Sequence, residues 1–365
     1  MPETPDIYDE LGVPAVINAA GTKTRIGGSL ICEEAVEAMA DAATGFARIS
    51  DLQARASDLV AQATGADAGY VASGAAAAMT LGAAAAIAGD DPGTMARLPD
   101  TEGVASDIVM ARTHRTGYDH ALRAAGADIV DVGTNDYHLG TGATNVEPWE
   151  YRDAIDDETA AVAYVQKPYT QPPLETVVEI AHDHDVPVIV DAAAELPPAS
   201  NLERFVDLGV DLVVFSGGKA IRGPQSTGIL AGRSDLVESA ALQHLDMHAA
   251  SEAYEPPESL VDVDHIDGVP RQGIGRPMKV GKEELAGLIK ALELFLEEDH
   301  DALVAEWRER AERVADRLSE SEGVDCSITG GEKTAVAPEV VVDLTDADAA
   351  AADLVAALRR EEPRV

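Results

Sequence analysis

The chain has 365 residues, of which 27 are basic and 66 acidic, giving a formal net charge of −39. At roughly 150 residues per domain it holds two or three domains, and a hydrophobic fraction of 46% excludes disorder driven by weak hydrophobicity. The carboxylate excess argues against a nucleic-acid or anionic-membrane partner, and with only seven lysines it reads as halophilic adaptation to a cytosol of molar salt. In chain order, Met1–Asp6 shows no basic region followed by an apolar run, so a soluble, cytoplasmic protein is expected. Candidate strands follow at 69–72, 107–111, 127–132, 160–165, 186–190 and 211–215. Helical patterns fill the gaps at Ala75–Ala88, Tyr118–Ala125, Pro148–Ile155, Leu174–His184 and Asn201–Leu208. Nearly all-apolar strands alternating with helices predict an α/β fold with a mainly parallel sheet covered on both faces. After about Ser234 the pattern changes to an irregular crossover at Ser251–Gly275. Helices at Lys282–Glu298 and Asp301–Ser319 follow, then a strand at Val340–Leu344 and a helix at Asp346–Arg359. Cys32 and Cys326 lie too far apart in sequence to suggest a Cys-rich metal site or a disulfide framework. His182 and His184 point to different faces of their helix, so no metal pair is expected.

Three segments fall at the carboxyl ends of strands, where ligands gather in such sheets. At Ser73-Gly74-Ala75 a strand meets a helix. Ser73 suits a helix cap, and Gly74 lets a ligand approach the backbone, so the turn is either a tightly packed cap or an anion site made of amides. Asp191 ends a buried strand; it either caps the next turn or faces a cationic ligand nitrogen such as a protonated pyridine. Lys219 lies in Ser216-Gly217-Gly218-Lys219, just past a hydrophobic strand. Glycines on either side leave room for a bulky partner, and burial would free its amine to act as a nucleophile. Together the three match pyridoxal 5′-phosphate. The phosphate takes the Ser73–Ala75 turn with help from the Ser216 hydroxyl, Asp191 takes the pyridine nitrogen, and Lys219 forms the Schiff base. Among the other lysines only Lys167 also follows a strand, and it precedes a proline-rich loop.

Asn18-Ala19-Ala20-Gly21-Thr22, Ser73-Gly74-Ala75-Ala76, Asp191-Ala192-Ala193, Phe215–Lys219 and Gly275–Glu284 resemble the selenocysteine synthase (L-seryl-tRNA(Sec) selenium transferase)-like family. The resemblance is nearest to its D-glucosaminate-6-phosphate ammonia-lyase-like members. It spans about Asn18 to Leu296 and implies a fold-type I, aspartate aminotransferase-like enzyme that assembles as a homodimer or larger homo-oligomer. The expected division is an N-terminal arm at 1–45, a large cofactor domain at 46–250 and a small C-terminal α+β domain at 251–365. By the same analogy His114 stacks on the cofactor ring, the alternative being an exposed polar loop rich in histidine. Arg276 and Lys279 suit an anionic substrate, a bidentate arginine matching its carboxylate. The alternative pairs them with Glu283 and Glu284, and Arg25, Arg222 and Arg271 compete for the substrate.

The expected activity is a pyridoxal-phosphate lyase that eliminates from a small anionic amino acid through Lys219. Selenium transfer to seryl-tRNA is the alternative in the family's own terms. Against it stand the acidic charge and the start of the Asn18 motif near the first residue, which leaves no separate tRNA-gripping domain ahead of it. An aminotransferase and a cofactor-binding scaffold without turnover complete the alternatives.

Overall fold

Strands that are apolar on both faces are satisfied only in a sheet covered on both sides, and a seven-stranded sheet of that kind lies within residues 31–298. The structure is a computed structural model. It describes residues 6–134, 146–167, 170–245, 250–266, 268, 273–330, 337–344, 350–361 and 365. The elements begin with α1 (Asp6–Glu10), α2 (Glu33–Ala43), α3 (Ile49–Thr64), β1 (Ala68–Ala72), α4 (Ala75–Ala88), α5 (Pro92–Arg97), β2 (Asp107–Ala111) and α6 (His120–Ala124). They continue with β3 (Asp128–Val132), α7 (Pro148–Ala154), β4 (Thr159–Val165), α8 (Leu174–His182), β5 (Val188–Asp191), α9 (Asn201–Asp207), β6 (Leu212–Ser216), β7 (Gly228–Gly232) and α10 (Ser234–Leu242). Last come α11 (Lys282–Glu297), α12 (His300–Ser319), β8 (Asp325–Thr329), β9 (Glu339–Asp343) and α13 (Ala351–Leu358).

The large sheet has the order β1-β7-β6-β5-β4-β2-β3. Pairing is parallel from β3 through β2, β4 and β5 to β6, and antiparallel where β7 lies between β6 and β1. The six strands read from the sequence are all present. Strand β7 is the addition: Gly-Ile-Leu-Ala-Gly is bracketed by glycine, which weakens any strand signal, and burial of every residue holds it in place.

Alternate residues along each strand feed two separate cores. Val71, Val109, Val162, Val190, Val213 and Ile229 pack on one face, beneath α3, α8, α9 and α11. Tyr70, Ile108, Ala163, Ile189, Val214 and Leu230 pack on the other, beneath α4, α6 and α10. Helix α4 is alanine-rich and apolar all round, as a helix sunk across a sheet must be. At its centre a Cβ on Gly82 would only touch Leu212 and Leu230, each at 3.4 Å.

The chain forms two compact units, Ile31–Glu298, and Met1–Leu30 together with Asp299–Val365. This differs from a boundary at 250, because α11 packs on α2 and α3 and so joins the larger unit. In the smaller unit β8 and β9 pair antiparallel and pack on α12, whose Ala311 and Ala315 are buried.

Candidate active site

The carboxyl edge of the sheet is built by register. Ala72 at the end of β1 pairs with Gly228, which pairs with Ser216 at the end of β6. Asp191 lies opposite Val214 on one side and Val165 on the other. The Ser73, Asp191 and Ser216–Lys219 segments therefore leave the sheet along one edge.

The N-terminus of α4 begins at Gly74, with φ +120° and ψ 163°, and carries no side-chain cap. The expectation that Ser73 caps this helix is corrected: Gly74 is the cap position, reached by a backbone conformation that suits glycine. The first-turn amides consequently have no intrahelical acceptor, and a Cβ at Gly74 would meet nothing within 4 Å. Behind the turn the packing is tight. A Cβ on Gly228 would collide with the Gly74 carbonyl carbon and the Ala75 nitrogen. An uncapped, half-buried helix start with open space before it fits a phosphate group.

Asp191 is half-buried. Its Oδ1 accepts the Ala193 N–H at 3.0 Å, so the turn-capping alternative is present, while its other carboxylate oxygen takes no bond among the described residues. The Lys219 loop is compact. The Gly217 N–H donates to the Thr227 carbonyl at 3.0 Å, and the Gly223 N–H returns to the Gly217 carbonyl at 2.9 Å. A Cβ on Gly217 would strike Thr227 Oγ1 and approach Leu288 Cδ1 to 2.7 Å; one on Gly218 would lie 2.5 Å from the Gln225 Cα. The room these glycines make is thus taken by the protein itself, which corrects the expectation of space for a bulky partner. Lys219 and Ser216 are half-buried at the end of this loop.

His114 is 2% exposed, so the exposed-loop alternative fails for it. Its ring meets Tyr164 edge-on, with centroids 4.6 Å apart at 80°. Nδ1 lies 3.5 Å from the Val165 N–H and accepts from it, and burial pushes the imidazole down to about 4, so the ring is neutral. Nε2 is buried with no hydrogen-bond partner among the described residues.

Arg276 starts a short 3-10 turn, Arg276–Met278, and the Met278 carbonyl accepts the Ser73 N–H at 3.0 Å. That bond brings the Arg276–Lys279 segment against the start of α4. Both side chains are exposed. Glu283 pairs with Lys282 rather than with Arg276, and Arg222 pairs with Glu298 at 3.0 Å. Arg25 belongs to the other compact unit, and Arg271 lies outside the described residues.

Sequence reasoning missed two parts of this edge. The Tyr70 hydroxyl lies 2.5 Å from His244 Nδ1 beneath the Gly275 turn, and Lys167 Nζ lies 3.5 Å from Glu195 Oε1 beside Asp191. Neither pairing has a spacing signal, because its members come from distant segments.

The class-V aminotransferase family model matches residues 120–362. The chain belongs to the class-V aminotransferase family. It is 33% identical over 320 residues to a D-glucosaminate-6-phosphate ammonia lyase from Salmonella typhimurium, covering 86% of the chain and 76% of that protein. It is 32% identical over 368 residues to a 5′-C-glycyluridine monooxygenase-decarboxylase from a Streptomyces species, covering 98% and 81%. An L-seryl-tRNA(Sec) selenium transferase from Desulfovibrio desulfuricans is 28% identical, and the match spans 49% of that protein. Among solved structures, a D-glucosaminate-6-phosphate ammonia-lyase superposes with a TM-score of 0.78 at 30% identity, covering 98% of this chain and 88% of the other. A class-V aminotransferase of this kind is a fold-type I enzyme dependent on pyridoxal 5′-phosphate. The uncapped α4 start and the partly unengaged Asp191 carboxylate fit that cofactor's phosphate and ring nitrogen.

Proposed function

We propose that this enzyme is a lyase that eliminates a β-substituent from a small anionic amino acid and releases its nitrogen as ammonia. The observation that carries the reading is the single sheet edge shared by the α4 start, Asp191 and the Lys219 loop, together with the 0.78 superposition on an ammonia-lyase. When bound, pyridoxal 5′-phosphate supplies an electron sink for the charge left at the substrate's α-carbon. The amides of Ala75 and its neighbours, with the Ser216 hydroxyl, hold the phosphate. Asp191 accepts a hydrogen bond from the ring nitrogen and keeps it charged. Lys219 Nζ would anchor the cofactor and, once its amine is free, would serve as the base that takes the substrate's α-proton. Arg276 and Lys279 hold the substrate's anionic groups beside the start of α4.

The similarity to the monooxygenase-decarboxylase favours a second reading, oxidative decarboxylation of a glycyl-type amino acid, which would use the same anchoring lysine. Selenium transfer is disfavoured by the charge of −39. A cytoplasmic location and a homo-oligomer belong to the proposal. Both cysteines are free, and Phe46, Tyr118 and Trp149 expose large apolar side chains. So does halophilic adaptation, on the strength of the charge.

The test is to purify the protein with its cofactor in molar salt, reduce with borohydride and map the labelled peptide. Wild type carries the cofactor on Lys219, and Lys219→Ala carries none. Ammonia release across a panel of hydroxylated and phosphorylated amino acids, without oxygen uptake, supports the lyase. Oxygen uptake with carbon dioxide release selects the second reading, and a reducible adduct persisting in Lys219→Ala removes both.

A further inference from the structure

One buried charge at this edge has no task in the roles above. Glu195 lies on the loop that follows Asp191 and is only 6% exposed. Its Oε1 faces Lys167 Nζ at 3.5 Å, and Lys167 extends from the end of β4, the strand paired with β5. The two loops are joined again where the Gln166 N–H donates to the Asp191 carbonyl at 3.0 Å. Asn201 Nδ2 fixes the far side by donating to the Glu195 carbonyl at 2.6 Å. Three charged groups face Glu195: Lys167 from the β4 loop, Arg204 from α9, and Asp191 from β5. Burial raises the Glu195 carboxyl above the usual range. Lys167 and Arg204 oppose that rise, and Asp191 adds to it. At 3.5 Å the ammonium acts chiefly as a point charge.

We propose that Lys167 and Glu195 form a charge-setting pair for Asp191, and through it govern how firmly the cofactor anchored on Lys219 holds its proton. They are positioning residues that act through Asp191. The inference rests on the reading that Asp191 meets the ring nitrogen and Lys219 the aldehyde carbon. Without Lys167, two carboxylates stand side by side and the edge gains negative charge. Without Glu195, an unmatched ammonium remains and the edge gains positive charge. Negative charge favours the protonated form of a nearby nitrogen, and positive charge disfavours it.

The test follows the absorbance of the holoenzyme cofactor against pH at fixed ionic strength. Lys167→Met raises the midpoint and Glu195→Gln lowers it, each by about half a unit or more, and the double variant returns towards wild type. A packing role gives no reason for shifts of opposite sign. Shifts of the same sign, or spectra indifferent to both substitutions across the whole stable pH range, overturn the inference. Borohydride mapping on the same samples separates the two levels. A cofactor fixed on Lys219 without opposite shifts sinks only the charge-setting pair, whereas a cofactor fixed elsewhere in wild type takes the active-site reading down with it.

Discussion

His114 and His244 are 2% and 5% exposed, and burial pushes each imidazole down to about 4, with Arg276 adding to the effect at His244. In an unfolded chain each histidine takes up a proton near pH 6.5. Between those values the unfolded state binds more protons, so acidification favours it. The contribution of each ring to stability is complete above pH 6.5 and is lost as the pH falls towards 4, amounting to roughly 2–3 kcal/mol apiece. His114→Asn should therefore lose less stability than wild type between pH 7 and pH 4.5, by about 2 kcal/mol in urea titrations at constant salt. Equal pH slopes for the two proteins would mean that the ring is not held neutral by burial. Asp191 poses a sharper residue-scale question, since one of its oxygens is already engaged by Ala193. Asp191→Asn should preserve that turn and the borohydride-trapped link at Lys219, yet lower turnover on the order of a hundredfold or more. Unchanged turnover would leave Asp191 as a turn cap alone.

The start of α4 depends on a close approach between elements. A Cβ on Gly228 of β7 would run into the Gly74 carbonyl carbon and the Ala75 nitrogen, so Gly228→Ala must push the amide turn off the sheet edge. Overpacking of this kind costs about 1–3 kcal/mol, and the displaced turn should bind cofactor more weakly. Gly82→Ala, in the middle of the same helix, meets Leu212 and Leu230 only at 3.4 Å and should leave cofactor affinity unchanged. Equal affinities for the two variants by equilibrium dialysis would uncouple the turn from cofactor binding. These elements also show what could be read in advance. The strand at Asp107–Ala111 and the helix at Ala75–Ala88 match in full, because burial on all sides leaves an uninterrupted apolar signal. Strand β7 went unread because flanking glycines carry no such signal. Asp191 and Lys219 were legible as unusual residues at strand ends. The role of Gly217 and Gly218 was not, since which neighbour fills the space beside a glycine is decided by Thr227 and Gln225, beyond the turn. The Lys167–Glu195 and Tyr70–His244 contacts arise only from the sheet order, which places β4 beside β5 and β1 near the end of α10.

At the scale of the molecule, a charge of −39 sets how the fold responds to salt. Like charges repel over about 10 Å at 0.1 M salt but over only about 3 Å at 1 M, so the compact state gains most from the first additions of salt. The two compact units are not equally equipped to withstand the repulsion. Residues 31–298 enclose two extensive apolar cores. In the smaller unit Ala311 and Ala315 are the buried apolar residues among those described; β8 alternates between exposed and half-buried positions, and β9 is exposed at every residue but Val340. A segment with few buried contacts opens at lower cost than the global fold. Lowering sodium chloride from 2 M to 0.1 M should therefore expose Asp299–Val365 to protease while 31–298 still resists. The thermal midpoint of the whole chain should fall over the same range. Potassium chloride should act like sodium chloride at equal ionic strength, because screening depends on charge and concentration rather than on the identity of the cation. Cleavage that begins within 31–298, or a midpoint that ignores salt, would show that packing rather than charge limits this fold.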